Sequence, residues 1–371
     1  MTDQTTSTIV SSQALPSPQP LIPNLPDDIS LHILAKIPCS DHPYLSLVSK
    51  SWHSTITSPA LFNTRSALGT IQTSLYLNLR INSSFHWYSL KPKNKNLILL
   101  PSIPTDLGCQ PIGSSFCVLG PKIYIIGGSI HDIPSNNVWV YDCRFNKWAV
   151  GPKMRVAREF AAAGTWNGKT YVMGGCVVDN WARSMNWAEV FDPKIESWDR
   201  VPSPIEVRDK WMHASAVIGS RIYAMADRGG VVYNAESGQW GNVSKRLDLG
   251  WRGRATVVGN VLYCYDYLGK IRGYDVEKDV WKELKGVEKE LPKFLCGATM
   301  VNLDEKLCVV WEGKGSGKEV EIMCAEIEVK KDADGGLRGT ILCDCIFEYQ
   351  TVCRTYRCGT MMLDFCWWWW C

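Results

Sequence analysis

The feature that most restricts how this chain can fold is a spacing. Four times an aromatic residue is followed seven positions later by tryptophan: Tyr141 and Trp148, Phe191 and Trp198, Tyr233 and Trp240, Tyr274 and Trp281. The interval inside each pair is constant, whereas the pairs recur after 50, 42 and 41 residues (191−141, 233−191, 274−233). Upstream of each lies a short apolar run ending near glycine: KIYIIGG (122–128), KTYVMGG (169–175), RIYAMADRGG (221–230) and VLYCYDYLG (261–269). Self-similarity at a period of this size signals an array of one supersecondary unit.

The content of a unit points to strands. FAAAGTW, KTYVMGG, WAEVFDP and SWDRVP read as four strands separated by turns. Asn167-Gly168 between the first two is a strong hairpin signal. One such sheet cannot bury both faces, but sheets stacked radially around a channel can. The glycine pairs Gly127-Gly128, Gly174-Gly175 and Gly229-Gly230 would let the inner strand turn away where backbones approach closely. No sustained 3.6-residue periodicity appears inside the units, which argues against a helical solenoid.

A double glycine followed by an aromatic and a spaced tryptophan resembles the kelch repeat. Units 108–152 and 155–202 match well; the third and fourth replace the clean pair with Asp227-Arg228-Gly229-Gly230 and Tyr267-Leu268-Gly269. A fifth, around LCVVWEGKG (307–315), lacks the aromatic pair and rests on strand pattern alone. Ahead of them, SLYLNLRI, FHWYSLKP and NLILLP within 74–103 read as three strands of a first blade that is one strand short. The expected fold is therefore mainly β: a six-bladed kelch-type β-propeller over 74–347. Residues 355–365 within the 348–371 end are the candidate closing strand, since an open sheet edge invites aggregation.

Ahead of the propeller the character changes. Residues 1–20 are rich in Ser, Thr, Gln and Pro and are expected to be disordered. In 21–68, Leu25, Ile29, Ile33, Leu34 and Ile37 recur at helical spacing, with Pro26 in the first turn and Asp27 and Asp28 where the helix dipole favours acids. Leu45, Val48, Trp52 and Ile56 form a second stripe, and ALFNTRSAL a third. Three helices in so few residues bury little on their own, so their apolar faces suit an interface. This stretch resembles an F-box, a small three-helix domain, through Leu25-Pro26-Asp27-Asp28, Ile29, Leu34, Ile37, Leu45, Val48-Ser49-Lys50 and Trp52. The resemblance implies docking onto a Skp-type adaptor of a cullin-RING ubiquitin ligase, with Leu25, Pro26, Ile29, Leu45 and Val48 carrying most of the contact. The bland alternative is a helical subdomain packed for stability alone. An F-box directly before a kelch array is the layout of a large plant family of ligase substrate receptors.

Whole-chain totals narrow the remaining options. A net charge of +3, evenly spread, does not favour nucleic acid as a partner. The N-terminus lacks a secretory layout and no run of 18 apolar residues suggests a membrane span, so the 15 cysteines are expected reduced, in cytoplasm or nucleus. Cys343, Cys345, Cys353, Cys358, Cys366 and Cys371 crowd the end without a CxxC pair or a neighbouring His, which disfavours zinc. Trp367 to Trp370 form an unbroken tetrad, either a truncated or mis-spliced end or a partner contact. Of six histidines, His131 and His213 fall in the clear repeats, in no metal-ligand cluster. GKGSGKE (313–319) has three rather than four residues between its glycines and Glu319 where a magnesium-binding hydroxyl should stand. The expectation is a non-catalytic chain with no cofactor and no metal.

Recognition then falls to loops on a rigid scaffold. The resemblance gathers the loops after the glycine pairs, and those between blades, on one substrate-binding face. Arg155, Arg158, Trp181, Arg183, Trp187, Arg208, Arg228 and Lys270 lie in them, and Trp and Arg are the residues most enriched at interface hot spots. As a set they suggest a face for acidic or polar protein segments. A solvated charge, or an aromatic tucked onto a neighbouring blade, is the alternative for each.

Overall fold

A computed structural model describes residues 20–347, apart from 82–83, 92–95, 106–109, 177–184, 209, 211, 228, 252, 267 and 315–319, together with 362–363. The chain divides into two compact units, Met1–Gln72 and Thr73–Cys371.

In the first unit, helix α1 (Asp27–Lys36) starts after Pro26, with two acids in its first turn and Lys36 in its last, both favourable to the helix dipole. Two short turns of helix follow, Cys39–Asp41 and α2 (His42–Leu45), then α3 (Lys50–Ile56) and α4 (Pro59–Ala67). The second apolar stripe therefore splits. Ser49 leaves helical backbone (φ −161°) so that its Oγ can accept the Trp52 N–H at 3.1 Å and cap α3. Leu21, Leu34, Ala35 and Leu61 form the core, with Ile37, Leu45, Trp52 and Ile56 packed against it. Arg65 is buried on α4, and its Nη1 donates to the carbonyls of Ala35 at 2.9 Å and Ile37 at 2.6 Å. These are carbonyls that the end of α1 leaves without helical partners.

The second unit contains, among the described residues, six four-stranded antiparallel blades of a propeller, four of them separate sheets and two joined into one eight-stranded sheet, together with a two-stranded hairpin at Ser129–Pro134. Blade 2 runs Ser115–Leu119, Lys122–Ile126, Val138–Asp142, Lys147–Val150. Blade 3 runs Ala162–Trp166, Lys169–Met173, Ala188–Asp192, Ser197–Val201, the four strands that the sequence marks out. Blades 4, 5 and 6 span 212–242, 255–285 and 296–347. In blade 1 the strands Leu75–Ile81, Ser84–Lys91 and Asn96–Leu99 are joined by Met362–Leu363, which pairs antiparallel with the first of them through Leu79↔Leu363 and Arg80↔Met362. The other residues of 355–365 lie outside the described residues, as do Cys353, Cys358, Cys366, Cys371, Trp367 to Trp370 and most of the 313–319 turn. From blade 2 to blade 6 the first strands of neighbouring blades touch one another, and that of blade 6 touches Met362–Leu363, the inner strand of blade 1.

The repeated spacing has a local cause. Each aromatic stands on the third strand of its blade and faces its tryptophan across the hairpin to the fourth, at ring-centroid distances of 4.9, 5.2, 4.7 and 5.2 Å. The residue after the aromatic is Asp142, Asp192, Asn234 or Asp275, and its Oδ1 accepts the N–H two residues on at 2.9–3.1 Å. Four residues later Asn146, Glu196, Gly238 or Asp279 adopts a left-handed φ of 50–71°. A side-chain-closed turn plus one left-handed residue fixes the hairpin length, so the interval cannot drift.

The tryptophan also reaches the preceding blade. The indole N–H of Trp148 donates to the carbonyl of Pro101 at 2.7 Å, that of Trp198 to Pro152 at 2.9 Å and that of Trp240 to Pro202 at 2.7 Å. Each acceptor lies just past the outer strand of the blade before. Trp281 keeps the bond at 2.8 Å, but its acceptor is Arg246 on the short helix Lys245–Gly250, where a Cβ on Gly250 would collide with the indole. Aromatics on the second strands complete each joint, as in Tyr76–Tyr141, Tyr124–Phe191 and Tyr171–Tyr233 at 5.8, 5.7 and 5.9 Å. Blade 6 has no such pair, and its outer strand instead pairs in parallel with that of blade 5 (Leu284↔Leu337, Lys285↔Arg338), fusing the two into one eight-stranded sheet.

Gly127-Gly128 and Gly174-Gly175 follow directly on the second strand of their blades, as the reading of KTYVMGG has it, whereas Gly229-Gly230 stands directly before the third strand, Val231–Asn234. Gly127 and Gly128 have φ of 64° and 87°, and a Cβ on Gly127 would collide with the Arg158 carbonyl of the inter-blade connection. A Cβ on Gly175 would collide with the carbonyl of Glu159. Residues 158–159 thus thread between two glycine pairs. Gly128 N–H donates to Arg158 O at 2.7 Å, and Glu159 N–H donates to Gly175 O at 2.9 Å.

Replacing Trp198 with Phe keeps a smaller aromatic ring and removes the N–H donor, and should cost about 1–2 kcal/mol. Trp198→Ala should cost about 3–5 kcal/mol. Denaturant titration of the full chain measures both; a Phe variant as stable as wild type would show that the indole hydrogen bond contributes nothing, and equal losses would show that the retained ring contributes nothing.

Candidate protein-docking surfaces

In the first unit the eleven positions singled out from the sequence divide by face. Leu34, Ile37, Leu45 and Trp52 turn inward; Leu34 is buried, and Trp52 Nε1 donates to the Leu21 carbonyl at 2.7 Å. Leu25 is half-buried, and the exposed Asp27 accepts the Leu21 N–H at 2.9 Å. Pro26, Ile29, Val48, Ser49 and Lys50 face solvent, although Ser49 is occupied as the α3 cap. The expected contact set is therefore corrected at Leu45, which packs against the unit's own core.

Three further residues belong to the exposed set. Ile33 follows Ile29 by one helical turn, and Tyr44 and Leu47 flank the break between α2 and α3. Ile29 is 45% exposed, Tyr44 75%, Leu47 82% and Val48 61%. The signal was present in α1: apolar side chains at 29, 33, 34 and 37 span a wider arc than one buried stripe requires. Large aliphatic and aromatic side chains concentrated on so small a unit mark a docking surface.

In the second unit, antiparallel order sends the connections after each second strand, and those between blades, out on one face. The eight candidates expected there fare differently. Trp181, Arg183 and Arg228 lie outside the described residues. Trp187 is buried against Trp240 of the next blade at 5.7 Å. Arg158 is also buried, which overturns its reading as a contact residue. Its Nη1 donates to the carbonyls of Gly174 (2.6 Å) and Trp187 (2.8 Å), and its Nη2 to Asn186 O and to Glu189 Oε1 (2.8 Å). Both charges are essentially out of solvent, at 1% and 0% side-chain exposure. Glu189 in turn accepts the backbone N–H of Arg155 at 2.8 Å. The guanidinium therefore clamps both ends of the 174–187 connection. It positions a loop and touches nothing outside.

Of the remaining cations Arg155 and Lys270 are exposed and Arg208 is half-buried, and each is engaged by a neighbour in the propeller unit. Arg155 Nη2 meets Asp199 Oδ1 at 3.1 Å, and its Nε donates to the Trp198 carbonyl at 2.9 Å. Arg208 Nη2 donates to Ser203 O at 2.6 Å. Lys270 Nζ meets Glu283 Oε2 at 2.7 Å, a hydrogen bond that raises its pKa. Beside exposed charges such as Lys153, Glu206, Glu290 and Lys293, the described loop residues also present Ile133, Met185, Ile205, Leu268 and Phe294 to solvent. Among the described residues, no group of three or more His, Cys, Asp or Glu could hold a metal ion, and no helix is long and apolar enough to cross a membrane.

Comparisons with known proteins identify the two domains that carry these surfaces. Residues 22–64 match the F-box domain model, and residues 79–346 match the model described as FKB95, Kelch-repeats domain. The chain is 37% identical over 350 residues to the F-box/kelch-repeat protein At4g39550 of Arabidopsis thaliana, covering 85% of this chain and 88% of the relative. It is also 37% identical over 324 residues to the F-box/kelch-repeat protein At4g39580 of the same plant, covering 83% and 84%. Among solved structures, that titled "Structure of YjhT" superposes with a TM-score of 0.50 over 72% of this chain and 94% of its own, at 13% identity, a likeness of fold alone.

The two arginines make a direct test of burial against exposure. Arg158→Ala leaves Glu189 buried and uncompensated and should cost about 3–5 kcal/mol. Arg155→Ala breaks an exposed pair and should cost less than about 1 kcal/mol. Urea denaturation of both variants checks the ordering; similar losses would refute the loop-clamp assignment.

Proposed function

The chain belongs to the F-box/kelch-repeat family, and from that premise we propose that it is the substrate-recognition subunit of a Skp–cullin–F-box ubiquitin ligase. The observation that carries this reading is the exposed set Pro26, Ile29, Ile33, Tyr44, Leu47 and Val48, presented by a unit whose inward-facing residues already fill its own core. Apolar side chains left in water beside a completed core gain by covering with a partner's groove. The F-box holds the Skp-type adaptor and through it the cullin-RING assembly; the propeller's loop face holds the protein to be modified. The chain itself carries out no chemistry. Its contribution is proximity, bringing target lysines within reach of a ubiquitin-charged enzyme bound elsewhere. The reading implies work in cytoplasm or nucleus.

Co-expression of the full chain with a Skp-type adaptor tests this. The wild type should co-purify with it stoichiometrically. The double variant Pro26→Ala, Val48→Asp should lose about a hundredfold or more in affinity, as expected when a charge enters the centre of an apolar contact. Val48 is 61% exposed, so the thermal midpoint should move little. Undiminished capture by the variant would sink the assigned surface. No capture by the wild type would leave a kelch scaffold that binds proteins without ubiquitin transfer.

A further inference from the structure

We propose that a pocket at the seam of blades 1 and 2 seats one bulky apolar side chain, aromatic or large aliphatic, of the protein that the propeller recognises. The proposal deepens the receptor reading and rests on it for the identity of the occupant. The pocket has a volume of about 290 Å³ and opens among the loops of the candidate substrate face. Trp87, Leu100 and Ile103, all buried, are among its lining residues. Phe85 and His86 line it from blade 1; Ile112, Ile130 and His131 line it from blade 2. None of its lining residues is Asp, Glu, Lys or Arg.

Three properties select the occupant. First, the walls mix apolar side chains with the neutral polar groups of Ser84, Ser102, Gln110 and Ser129 and the imidazoles of His86 and His131; without Asp, Glu, Lys or Arg they offer a carboxylate, phosphate or ammonium group no permanent counter-charge for the hydration it would lose, whereas an apolar side chain gives up no hydration of its own. Second, the volume lies at the bottom of the range of about 300–1,000 Å³ typical of small-molecule and cofactor sites, and suits a single side chain. Third, apolar side chains continue outward from the pocket. Leu99 and Ile112 on the lining are partly in solvent, and Ile133, the hairpin partner of Ile130, is 70% exposed. A chain segment laid over this collar covers the rim residues while one of its side chains enters the pocket.

The site is also built before any partner arrives. Trp87 Nε1 donates to Gln110 Oε1 at 2.7 Å in a buried contact that fixes both lining groups. Ile112 and Ser129 exchange backbone hydrogen bonds of 2.9 and 2.6 Å, which ties the inter-blade connection to the blade 2 hairpin. At the tip of that hairpin His131 and Asp132 both hold left-handed φ, 51° and 60°. Glycine would do this at less cost; the non-glycine pair instead leaves an imidazole on the pocket wall. Beneath, Trp87 packs edge-on to Phe116 at 5.5 Å and to Trp148 at 6.0 Å. The lining residue Pro101 is the carbonyl acceptor of the Trp148 indole, so the pocket wall is part of the joint between the blades.

The full chain, purified with its Skp-type adaptor, is panned against a random peptide library, and one enriched peptide is synthesised for titration. Enriched sequences should share one aromatic or large aliphatic position. Ser102→Trp, which fills the pocket from an exposed lining position, and Ile112→Glu, which charges its rim, should each weaken that peptide about tenfold or more. Ile195→Ser, on an exposed residue of the hairpin between the third and fourth strands of blade 3, on the opposite face, should change its affinity less than about twofold. No enriched peptide, enriched sequences without a shared bulky apolar residue, or affinity indifferent to the two pocket variants would each overturn the proposal. Adaptor capture, measured on the same preparations, reports separately on the receptor reading: if it persists while the pocket variants have no effect, only the pocket assignment falls.

Discussion

Everything in the propeller depends on one contact repeated around it, the indole N–H of a fourth-strand tryptophan donated to a carbonyl of the blade before. A four-stranded sheet of this size is marginal alone, and packing apolar faces together gives area without register. A directional bond from a large buried ring supplies both: the ring fills the joint, and the donor fixes how far one blade slides against the next. The acceptor is a proline carbonyl in three joints and Arg246 of the short helix in the fourth. The bond is preserved while the backbone around it changes, which identifies the bond rather than the local chain path as the constraint. At the joint of blades 5 and 6 backbone pairing through Leu284 and Leu337 replaces it, and at the joint of blades 6 and 1 apolar packing of Leu75, Leu77 and Leu79 against Leu303, Cys308 and Val310 does.

Much of this was legible beforehand, and the reasons are specific. The aromatic-to-tryptophan interval survives in sequence because an Asp or Asn side chain closes the turn and one left-handed residue completes it; neither can be lengthened without breaking the cross-strand ring pair. That Asp or Asn stood next to each aromatic throughout and was an unused signal. The glycine pairs were legible as sites of close backbone approach, but what approaches them was not, because it is the inter-blade connection, a non-local neighbour. Blade 6 had to be inferred from strand pattern, since a joint made by main-chain pairing leaves no side-chain signature.

The surfaces were harder. A helical stripe reveals that Leu34, Ile37, Leu45 and Trp52 are apolar and suitably spaced, yet which arc faces the unit's own core depends on where α4 lies. Ile33, Tyr44 and Leu47 were missed for the same reason. On the propeller, arginine in a connecting loop looks like a contact residue whatever it does. Arg158 and Arg155 stand three residues apart in the same connection, and only the position of Glu189 separates a buried clamp from an exposed pair. Residue type carried information about chemistry. Burial, set by distant parts of the chain, decided its use.

The clamp at Arg158 has a consequence for how such a face divides its labour. A cation borrowed from the adjoining connection holds the carbonyls of Gly174 and Trp187 at the two feet of one loop and is itself neutralised by Glu189. The staple is spent entirely on the feet, so anchoring the loop and reading a partner fall to different side chains of the same face.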